Sequence, residues 1–275
     1  MICEAPVLRS LRMAVAVAPD EPCGLADVWL APSGHRTPDG RITAAALGST
    51  HELLQNLIGV WRRRLGCSGA NVMGYVGEVR ADWPEHPCLR VLGRSAAEAV
   101  HPLRVLNGSE EPPDVSVSGL AATASSVAGD DEHVDRWNLR DPTMECDCCN
   151  DFAVNVQQIA TDGLVRMLQP RGVLVPGVLL MSPVRHVERL ADLSRIELVA
   201  LLRAAEAANE MFTATLGTAG TYFFLNDGRV AGQESPHVHV HLHSRMSSQP
   251  ANPFAVGNSS GIGCGSAGVT TRRVG

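Results

Sequence analysis

The chain repeats a pattern of histidines, glycines and a closing arginine at a separation of 151 residues. His35 lies 151 positions before His186, and His86 lies 151 positions before His237. Further matches in this ungapped register are Leu65–Gly69 with Leu216–Gly220, Gly77 with Gly228, and Arg94 with Arg245. The shared order is a hydrophobic segment ending in Pro-x-x-His, a helix, a Leu-Gly turn, a strand, a glycine-containing loop and a histidine-bearing strand. The register predicts a duplicated folding unit.

The second copy ends in a segment, Ser235 to His243, in which four histidines alternate with Val238, Val240 and Leu242. A β-strand sends successive side chains to opposite faces, so the alternation predicts a strand with the imidazoles on one face. A row of imidazoles either ligates a metal or supplies a nucleophile with its proton-handling neighbours. The first copy has Cys88 and Arg90 where the second has His239 and His241, so it keeps the skeleton without this chemistry.

Periodicity and capping residues predict the other elements of the second copy. We expect a strand over Val173–Ser182, interrupted by Gly177, and a helix over Glu197–Leu216 that is N-capped by Ser194 and ends at Gly217. A strand over Thr221–Leu225 and a turn over Asn226–Gly228 follow. The predicted domains are a degenerate first half (1–94), a linker (95–145), an intact domain (146–245) and a flexible Gly/Ser-rich tail (246–275).

Composition limits the location and the class of ligand. A net charge of −6 argues against general nucleic-acid binding. No segment approaches the ~18 apolar residues of a membrane span. Residues 1–19 lack a clean signal-peptide core, so a cytoplasmic location is expected. All 23 basic residues are arginine, which is typical of coding bias in a GC-rich bacterial genome. Eight cysteines in 275 residues do not resemble a secreted disulfide framework.

Two short segments carry candidate ligands. Cys146-Asp147-Cys148-Cys149 contains a C-x-x-C pair that suits tetrahedral zinc if two further ligands come from elsewhere. Alone the pattern is a weak signal, and Cys148 is either a bystander or a ligand in place of a neighbour. The loop from Asn226 to Gln233 combines glycines with amide donors, and next to His239 this composition favours a phosphate-binding loop.

The residues N-x-G-x-x-A-G-Q-x-x-x-H-x-H-x-H, from Asn226 to His241, resemble the signature of the histidine triad superfamily. The upstream segments 176–187 and 190–194 are similar to the strand and turn of that family. The resemblance implies an α+β fold, an antiparallel sheet with packed helices that is usually paired across a two-fold axis. Two such units in one chain resemble the galactose-1-phosphate uridylyltransferase branch. That branch has Gln in place of the third histidine, so His241 points toward the hydrolase-like pattern.

The resemblance also implies a function, the hydrolysis or transfer of a nucleotidyl group through a covalent nucleotidyl-histidine. The expected substrate is a nucleoside phosphoramidate, a nucleotide anhydride or a nucleotidyl ester. His239 would be the nucleophile, and His241 would support the charge near the phosphate. The groups expected to hold the substrate are Asn226, the Gly232 amide, Gln233 and Ser235.

Zinc-bearing members of the superfamily imply a closed structural zinc site, here composed of Cys146, Cys149, His186 and His237. Two departures bear on the chemistry. Val178 stands where many members have a histidine, and Glu234 precedes Ser235 where many have Ser or Thr then Val. The first copy would replace the second subunit of a homodimer as a pseudo-dimer partner. Whether the chain pairs further into a homodimer stays open, as does a second metal site at His35, His86 and Cys88 with Cys3 or Cys23.

Two other functions compete with this interpretation. The row of four histidines is also compatible with a metal-dependent enzyme that holds catalytic Zn, Fe or Cu with an open coordination position. The third hypothesis is a non-catalytic nucleotide-binding protein that retains the fold alone. Metal analysis and turnover of a nucleotide panel distinguish the three.

Overall fold

A computed structural model describes ten segments of the chain: 6–11, 13–20, 22–32, 42–77, 88–98, 101–106, 110–124, 146–149, 156–171 and 177–246. His35 and His86 of the repeat lie outside these residues, as do Cys3, the start of the strand predicted over Val173–Ser182, and the tail beyond 246. The predicted second metal site of the first copy therefore falls largely outside the described part of the chain.

Ten strands and four α-helices occur in the described residues. The strands are β1 (Val7–Leu11), β2 (Ala14–Val17), β3 (Asp27–Pro32), β4 (Gly69–Gly77), β5 (Leu89–Arg94), β6 (Val156–Thr161), β7 (Val165–Pro170), β8 (Val178–Pro183), β9 (Gly220–Asp227) and β10 (Val240–Arg245). The helices are α1 (Ala44–Leu65), α2 (Pro102–Leu106), α3 (Val117–Ala124) and α4 (Arg195–Leu216). Short 3-10 helices lie at Leu190–Asp192 and Arg229–Ala231.

The described strands form one sheet in the order β1-β2-β3-β5-β4-β9-β10-β8-β7-β6. Every neighbouring pair is antiparallel. Counted outward from the β4–β9 pair, the first copy contributes β4, β5, β3, β2 and β1, and the second contributes the equivalent strands β9, β10, β8, β7 and β6 in the same order. Each copy therefore contributes half of one continuous sheet. The predicted α+β fold with two pseudo-symmetric copies is confirmed.

The repeat register is preserved in the element boundaries. Both ends of β3, α1 and β5 lie 151 residues before the corresponding ends of β8, α4 and β10. Met73 and Phe224 occupy equivalent positions in this register, and they are also direct partners in the β4–β9 ladder. A residue that pairs with its own repeat equivalent marks a pseudo-two-fold axis. The axis therefore passes through the sheet between Met73 and Phe224.

The two long helices begin at related caps. Ser194 caps α4 through a complete capping box, in which its Oγ accepts from the Glu197 N–H and the Glu197 carboxylate accepts from the Ser194 N–H. Thr43 occupies the equivalent position before α1 and accepts from the Ala46 N–H. Because Ala46 stands where α4 has Glu197, the α1 cap lacks the reciprocal bond. The predicted Ser194 cap and the predicted helix end at Gly217 are confirmed.

Opposite faces of the sheet bury different side chains. The main core contains apolar residues of α1 and α4 together with Val72, Phe223 and Leu242 of the sheet. Strand residues on the other face form a second cluster together with Cys23, which lies before β3. The buried strand members of this cluster are Met73, Tyr75, Leu92, Tyr222 and Phe224. Val105 and Leu106 of α2 pack against this second cluster. The two clusters give the sheet a helical side and an aromatic side.

Two predicted boundaries are wrong. The strand predicted over Ser235–His243 begins only at Val240, because Pro236 lacks an N–H and His237 bonds through its ring to the Pro183 carbonyl. The alternation still continues, since Val238, Val240 and Leu242 all enter the main core. Asn226 and Asp227 belong to β9 and pair with β4, so the predicted turn begins after them. No helix in the described segments has the length and apolar character needed to cross a membrane.

The difference between the two caps gives a stability prediction. Ser194→Ala removes a capping box and should lower the free energy of unfolding by about 1–2 kcal/mol, while Thr43→Ala should cost about 0.5–1 kcal/mol. Urea denaturation of both variants and the wild type measures the difference. An equal cost at the two sites would show that the reciprocal bond contributes nothing.

Candidate functional site

Two cysteines and two histidines converge at one end of the second copy. The ligand atoms of Cys146, Cys149, His186 and His237 all lie within 4.8 Å of one another. His237 Nδ1 is 3.3 Å from each of the two sulfurs, and His186 Nδ1 is 3.4 Å from Cys149 Sγ. Two ligands of one tetrahedral zinc stand roughly 3.5 Å apart, given bond lengths of about 2.0–2.3 Å. The cluster therefore has the composition and spacing of a closed four-ligand metal site.

Neighbouring groups orient both imidazoles of this cluster. The His237 ring is fully buried, and its Nε2 lies 3.0 Å from the Pro183 carbonyl. A carbonyl only accepts, so Nε2 carries the hydrogen and the Nδ1 lone pair faces the cluster. His186 Nε2 lies 3.5 Å from a Glu188 carboxylate oxygen. Contacts of this kind fix the tautomer and ring orientation of histidine ligands.

Cys148 does not belong to the four-residue cluster. Its buried thiol donates to Cys146, and this hydrogen bond lowers the pKa of Cys146 to about 2 while raising the pKa of Cys148. Burial raises the pKa of Cys149 to about 11 in the absence of a metal. Of the two possibilities for Cys148, the geometry favours the bystander.

His239 lies immediately before β10 and is 8% exposed. Its Nδ1 is 2.9 Å from the His237 carbonyl oxygen, which can only accept. The neutral ring therefore has its hydrogen on Nδ1 and a lone pair on Nε2. Burial lowers the pKa of His239, which keeps the ring neutral near pH 7. A neutral imidazole with one bound and one unprotonated nitrogen has the form required of a nucleophile.

His241 and His243 line the aromatic side of the sheet. Both rings stack on Phe224, with ring centroids 4.4 Å and 5.6 Å away. The His241 centroid is also 5.0 Å from that of His239. Burial lowers the pKa of His241 well below its ordinary value and that of His243 to about 4. The last three histidines thus form one row beside the pseudo-two-fold axis, while His237 belongs to the cysteine cluster.

The loop between β9 and the histidines depends on two glycines. Gly228 and Gly232 have φ angles of 91° and 87°, values that side chains with a Cβ rarely adopt. A Cβ on Gly228 would lie 2.8 Å from both Arg189 Nη1 and the Ser68 carbonyl. Arg189 in turn donates to the buried Asp227 carboxylate at 2.8 Å. This ion pair anchors the loop to the turn before α4, and no local signal in the sequence indicates it.

Two of the predicted substrate-binding groups, the Gly232 N–H and the Gln233 carboxamide, make hydrogen bonds within the protein. The Gly232 N–H donates to Arg229 O at 3.0 Å. The Gln233 carboxamide accepts from the Gly228 N–H at 2.6 Å and donates to the Glu188 and Ser235 carbonyls at 2.9 Å and 3.0 Å. Both groups therefore hold the loop in shape, and a direct bond to a ligand would require one of these contacts to open.

Asn226 and Ser235 are both partly exposed residues, but the Ser235 Oγ atom is itself buried. Asn226 is partly exposed, and its Nδ2 makes a long 3.4 Å contact with the Gly232 carbonyl. Its Oδ1 accepts from Asn71 of β4 at 2.8 Å. Ser235 is half-buried, and its side chain interacts with the Cys148 thiol. Among the predicted contacts, Asn226 has the donor that a ligand would displace most easily.

The equivalent position in the first copy is filled by an ion pair. Arg90, which stands where the second copy has His241, donates to Asp27 at 2.8 Å and 3.1 Å. The Arg90 guanidinium also lies over the Trp29 ring at 5.3 Å. Asp27 is 1% exposed and is the equivalent of Val178. Burial raises the pKa of Cys88, at the nucleophile position, to about 12. This half of the sheet therefore holds an inert thiol and a packed salt bridge.

The sequence of the second half matches a known family. Residues 154–248 match the family described as HIT domain. The matched segment is about a third of the chain and contains His186 and the histidine row. A segment of 69 residues is 35% identical to the asymmetrical bis(5'-nucleosyl)-tetraphosphatase of Schizosaccharomyces pombe, covering 25% of this chain and 38% of that protein. The chain therefore spans well under half the length of this curated relative.

Solved structures resemble both halves of the chain together. A GalT-like protein from Arabidopsis thaliana has a TM-score of 0.54 at 11% identity, covering 89% of this chain and 77% of its own. An ADP-glucose phosphorylase from the same plant, solved with bound ADP-glucose, has a TM-score of 0.55 at 10% identity, covering 90% and 75%. At these identities the likeness concerns the fold. It extends beyond the segment that matches the HIT domain family and covers both copies.

The composition of the cluster predicts which cysteine is required for metal. The wild type and Cys148→Ser should each contain about one metal ion per chain, while Cys149→Ser should lose it because a tetrahedral site needs four ligands. Elemental analysis of the three purified proteins measures the content. Loss of metal from Cys148→Ser with retention in Cys149→Ser would reverse the assignment.

The half-buried His243 predicts a pH-dependent stability. Its pKa is about 4 in the folded protein and about 6.5 when unfolded, so the unfolded chain binds more protons between these values. The free energy of unfolding should therefore fall as the pH decreases from about 6.5 toward 4. His243→Leu should show a smaller decrease than the wild type in urea denaturation over this range. Parallel pH profiles for the two proteins would mean that His243 does not contribute.

Proposed function

We propose that the chain is a nucleotidyl hydrolase or nucleotidyl transferase in which His239 forms the covalent intermediate. The observation that supports this most is the hydrogen bond between His239 Nδ1 and the His237 carbonyl. It leaves the Nε2 lone pair available on a buried, neutral ring within the HIT domain. The phosphatase named above acts on a bis(5'-nucleosyl) tetraphosphate, which favours a nucleotide anhydride among the expected substrates. Nucleoside phosphoramidates and nucleotidyl esters belong to the same substrate class.

The proposed reaction has two displacements at phosphorus. In the first, the Nε2 lone pair of His239 forms a nitrogen–phosphorus bond, and the bond from phosphorus to the leaving group breaks with its electron pair on that group. In the second, water or another acceptor attacks phosphorus, the nitrogen–phosphorus bond breaks, and the pair returns to Nε2. The proton of the attacking acceptor is released in this second step. Burial favours the neutral ring that must begin each cycle.

His241 and Asn226 are the groups we assign to the phosphate. His241 adjoins the nucleophile at 5.0 Å between ring centroids and is held in place by stacking on Phe224. Its Nε2 or Nδ1 hydrogen would donate to a phosphate oxygen. Asn226 would donate its outward N–H to the same group, replacing the long contact to Gly232. We assign Gly232 and Gln233 to holding the loop, and Ser235 to a donor at its edge.

We further propose that Cys146, Cys149, His186 and His237 hold zinc, since two sulfurs and two imidazoles are its preferred tetrahedral ligand set. When bound, the ion would have no open position and would contribute rigidity. His237 links this cluster to the active site because its ring faces the cluster while its carbonyl accepts from His239. His237 is therefore the residue through which the cluster would orient His239. A catalytic metal in the histidine row is less favoured. Among the described residues, the group of ligand atoms close enough to share an ion includes His237 and none of His239, His241 and His243.

The mechanism predicts one active centre per chain. His239→Ala should lower turnover of diadenosine tetraphosphate, ADP-glucose or adenosine 5'-phosphoramidate by at least about 1,000-fold, because the attacking group is lost. Cys88→Ala, at the equivalent position of the first copy, should retain wild-type turnover. Mass spectrometry of quenched wild-type reactions should detect one nucleotidyl group per chain, on His239.

Two results would contradict this proposal. Turnover that survives in His239→Ala would remove the nucleophile from the mechanism. A wild type that binds adenosine monophosphate and turns over no compound of the panel would favour the non-catalytic alternative. Repeating the assay with and without inorganic phosphate as acceptor distinguishes a hydrolase from a transferase.

A further inference from the structure

The two possible orientations of the Asn226 carboxamide present opposite groups to the loop. One places the Nδ2 hydrogens toward Gly232 and the other places the carbonyl oxygen there. Only the first offers a donor to an anionic phosphate. The Gly232 carbonyl favours the first orientation, but its contact with Nδ2 is long, at 3.4 Å. The shorter contact is on the other side, where Asn226 Oδ1 accepts from Asn71 at 2.8 Å.

That partner is fixed by a group that can only donate. The Arg94 guanidinium is 2% exposed and carries no acceptor. Its Nη1 donates to Asn71 Oδ1 at 2.6 Å, which defines the orientation of the Asn71 carboxamide. Asn71 Nδ2 then has both hydrogens directed to acceptors, at 2.8 Å to Asn226 Oδ1 and 2.9 Å to the Ala231 carbonyl. Because Asn226 Oδ1 accepts from Asn71, the Nδ2 group of Asn226 faces the loop.

These hydrogen bonds form a relay from Arg94 through Asn71 to Asn226. Arg94, the first donor of the relay, is itself held in place. Arg94 donates through Nε to Glu98 Oε1 at 2.9 Å, and its Nη2 lies 2.9 Å from His101 Nε2. The backbone N–H of His101 donates to a Glu110 carboxylate oxygen at 2.9 Å. Burial lowers the pKa of His101, which favours the neutral ring that accepts from Arg94. All of these residues belong to the chain before the HIT domain.

The relay runs in one direction only. Under the repeat register the equivalents of Asn71 and Asn226 are Tyr222 and Tyr75, which pair with one another on the opposite side of the axis. The first copy therefore receives no corresponding carboxamide from the second. The asymmetry coincides with the placement of the histidine row in the second copy alone.

We propose that Asn71 and Arg94 are positioning residues, supplied by the first copy, that aim the Asn226 donor at the substrate phosphate. The inference rests on the proposed function of the histidine site. It assigns to the degenerate half a positioning role at the histidine site of the second copy. Neither residue contacts the substrate, and both act through the orientation of Asn226.

Asn71→Asp tests the relay because the two side chains have the same shape. The introduced carboxylate still accepts from Arg94 but can no longer donate to Asn226. The Asn226 carboxamide should therefore rotate, so that Nδ2 points toward the carboxylate and away from the loop. We expect kcat/KM to fall about 10- to 100-fold, the usual effect of losing a hydrogen bond to a charged group. The affinity for adenosine monophosphate, measured by calorimetry, should fall by a similar factor. Asn209→Asp is the matched control, because it makes the same change in α4 and keeps the bond accepted from Thr221.

A double-mutant cycle separates positioning from a structural role. If Asn71 acts through Asn226, adding Asn71→Asp to Asn226→Ala should cause no further loss of kcat/KM. A merely structural contribution would reduce activity by the same factor in both backgrounds. Should Asn71→Asp fail to fold, Asn71→Ala removes the donor without adding a charge, and an intermediate loss is expected.

The outcomes distinguish this inference from the proposed function. An active wild type with unchanged kcat/KM and nucleotide affinity in Asn71→Asp would overturn the relay alone. Additive losses in the double variant would overturn it as well. A wild type without turnover or nucleotide binding would overturn the proposed function, and the inference with it.

Discussion

The antiparallel pairing of β4 with β9 is the interaction on which the rest of the structure depends. It joins two half-sheets into one, and it places the repeat equivalents Met73 and Phe224 opposite each other on the pseudo-two-fold axis. Phe224 then supports the rings of His241 and His243. The same ladder brings Asn71 beside Asn226. A single strand pairing thus determines the continuity of the fold, the floor of the histidine row and the contact between the copies.

The two copies have kept one backbone while their buried polar groups have diverged. The second copy holds neutral imidazoles where the first holds Arg90 paired with Asp27. A buried charge is tolerated only with a partner, so the arginine requires an acid nearby, and Asp27 supplies it. Removing either member alone would leave an uncompensated charge in the core. The divergence has therefore given the first copy a supporting role, in which it contributes strands, packing and polar contacts to the junction.

Several features of the site could be predicted from the sequence because they depend on local spacing. The Cys146 and Cys149 pair, the His237 position and the Ser194 capping box each rest on residues within a few positions of one another. The ungapped repeat also predicted a long helix followed by two strands in each copy. The start of the histidine strand was placed wrongly, since the alternation of Val238 and Val240 continues through a segment whose hydrogen bonds go to Pro183 and Val187 instead of a neighbouring strand. The periodicity of apolar residues indicates which side chains are buried. It does not indicate which groups the backbone N–H and C=O of the segment bond to.

The sequence by itself indicated the duplicated unit, the histidine row and the Cys146 and Cys149 pair, because each is expressed in residue type and spacing along the chain. The α+β class and the two histidine ligands of the metal cluster followed from the resemblance to the histidine triad superfamily. Only the tertiary structure decided that Gln233 is committed to its own loop, that Arg90 pairs with Asp27, and that Asn71 connects Arg94 to Asn226. Asn71 and Asn226 are 155 residues apart, and nothing near either residue specifies the other. Their contact follows from the register between two strands of different copies, a property that exists only once the sheet has formed.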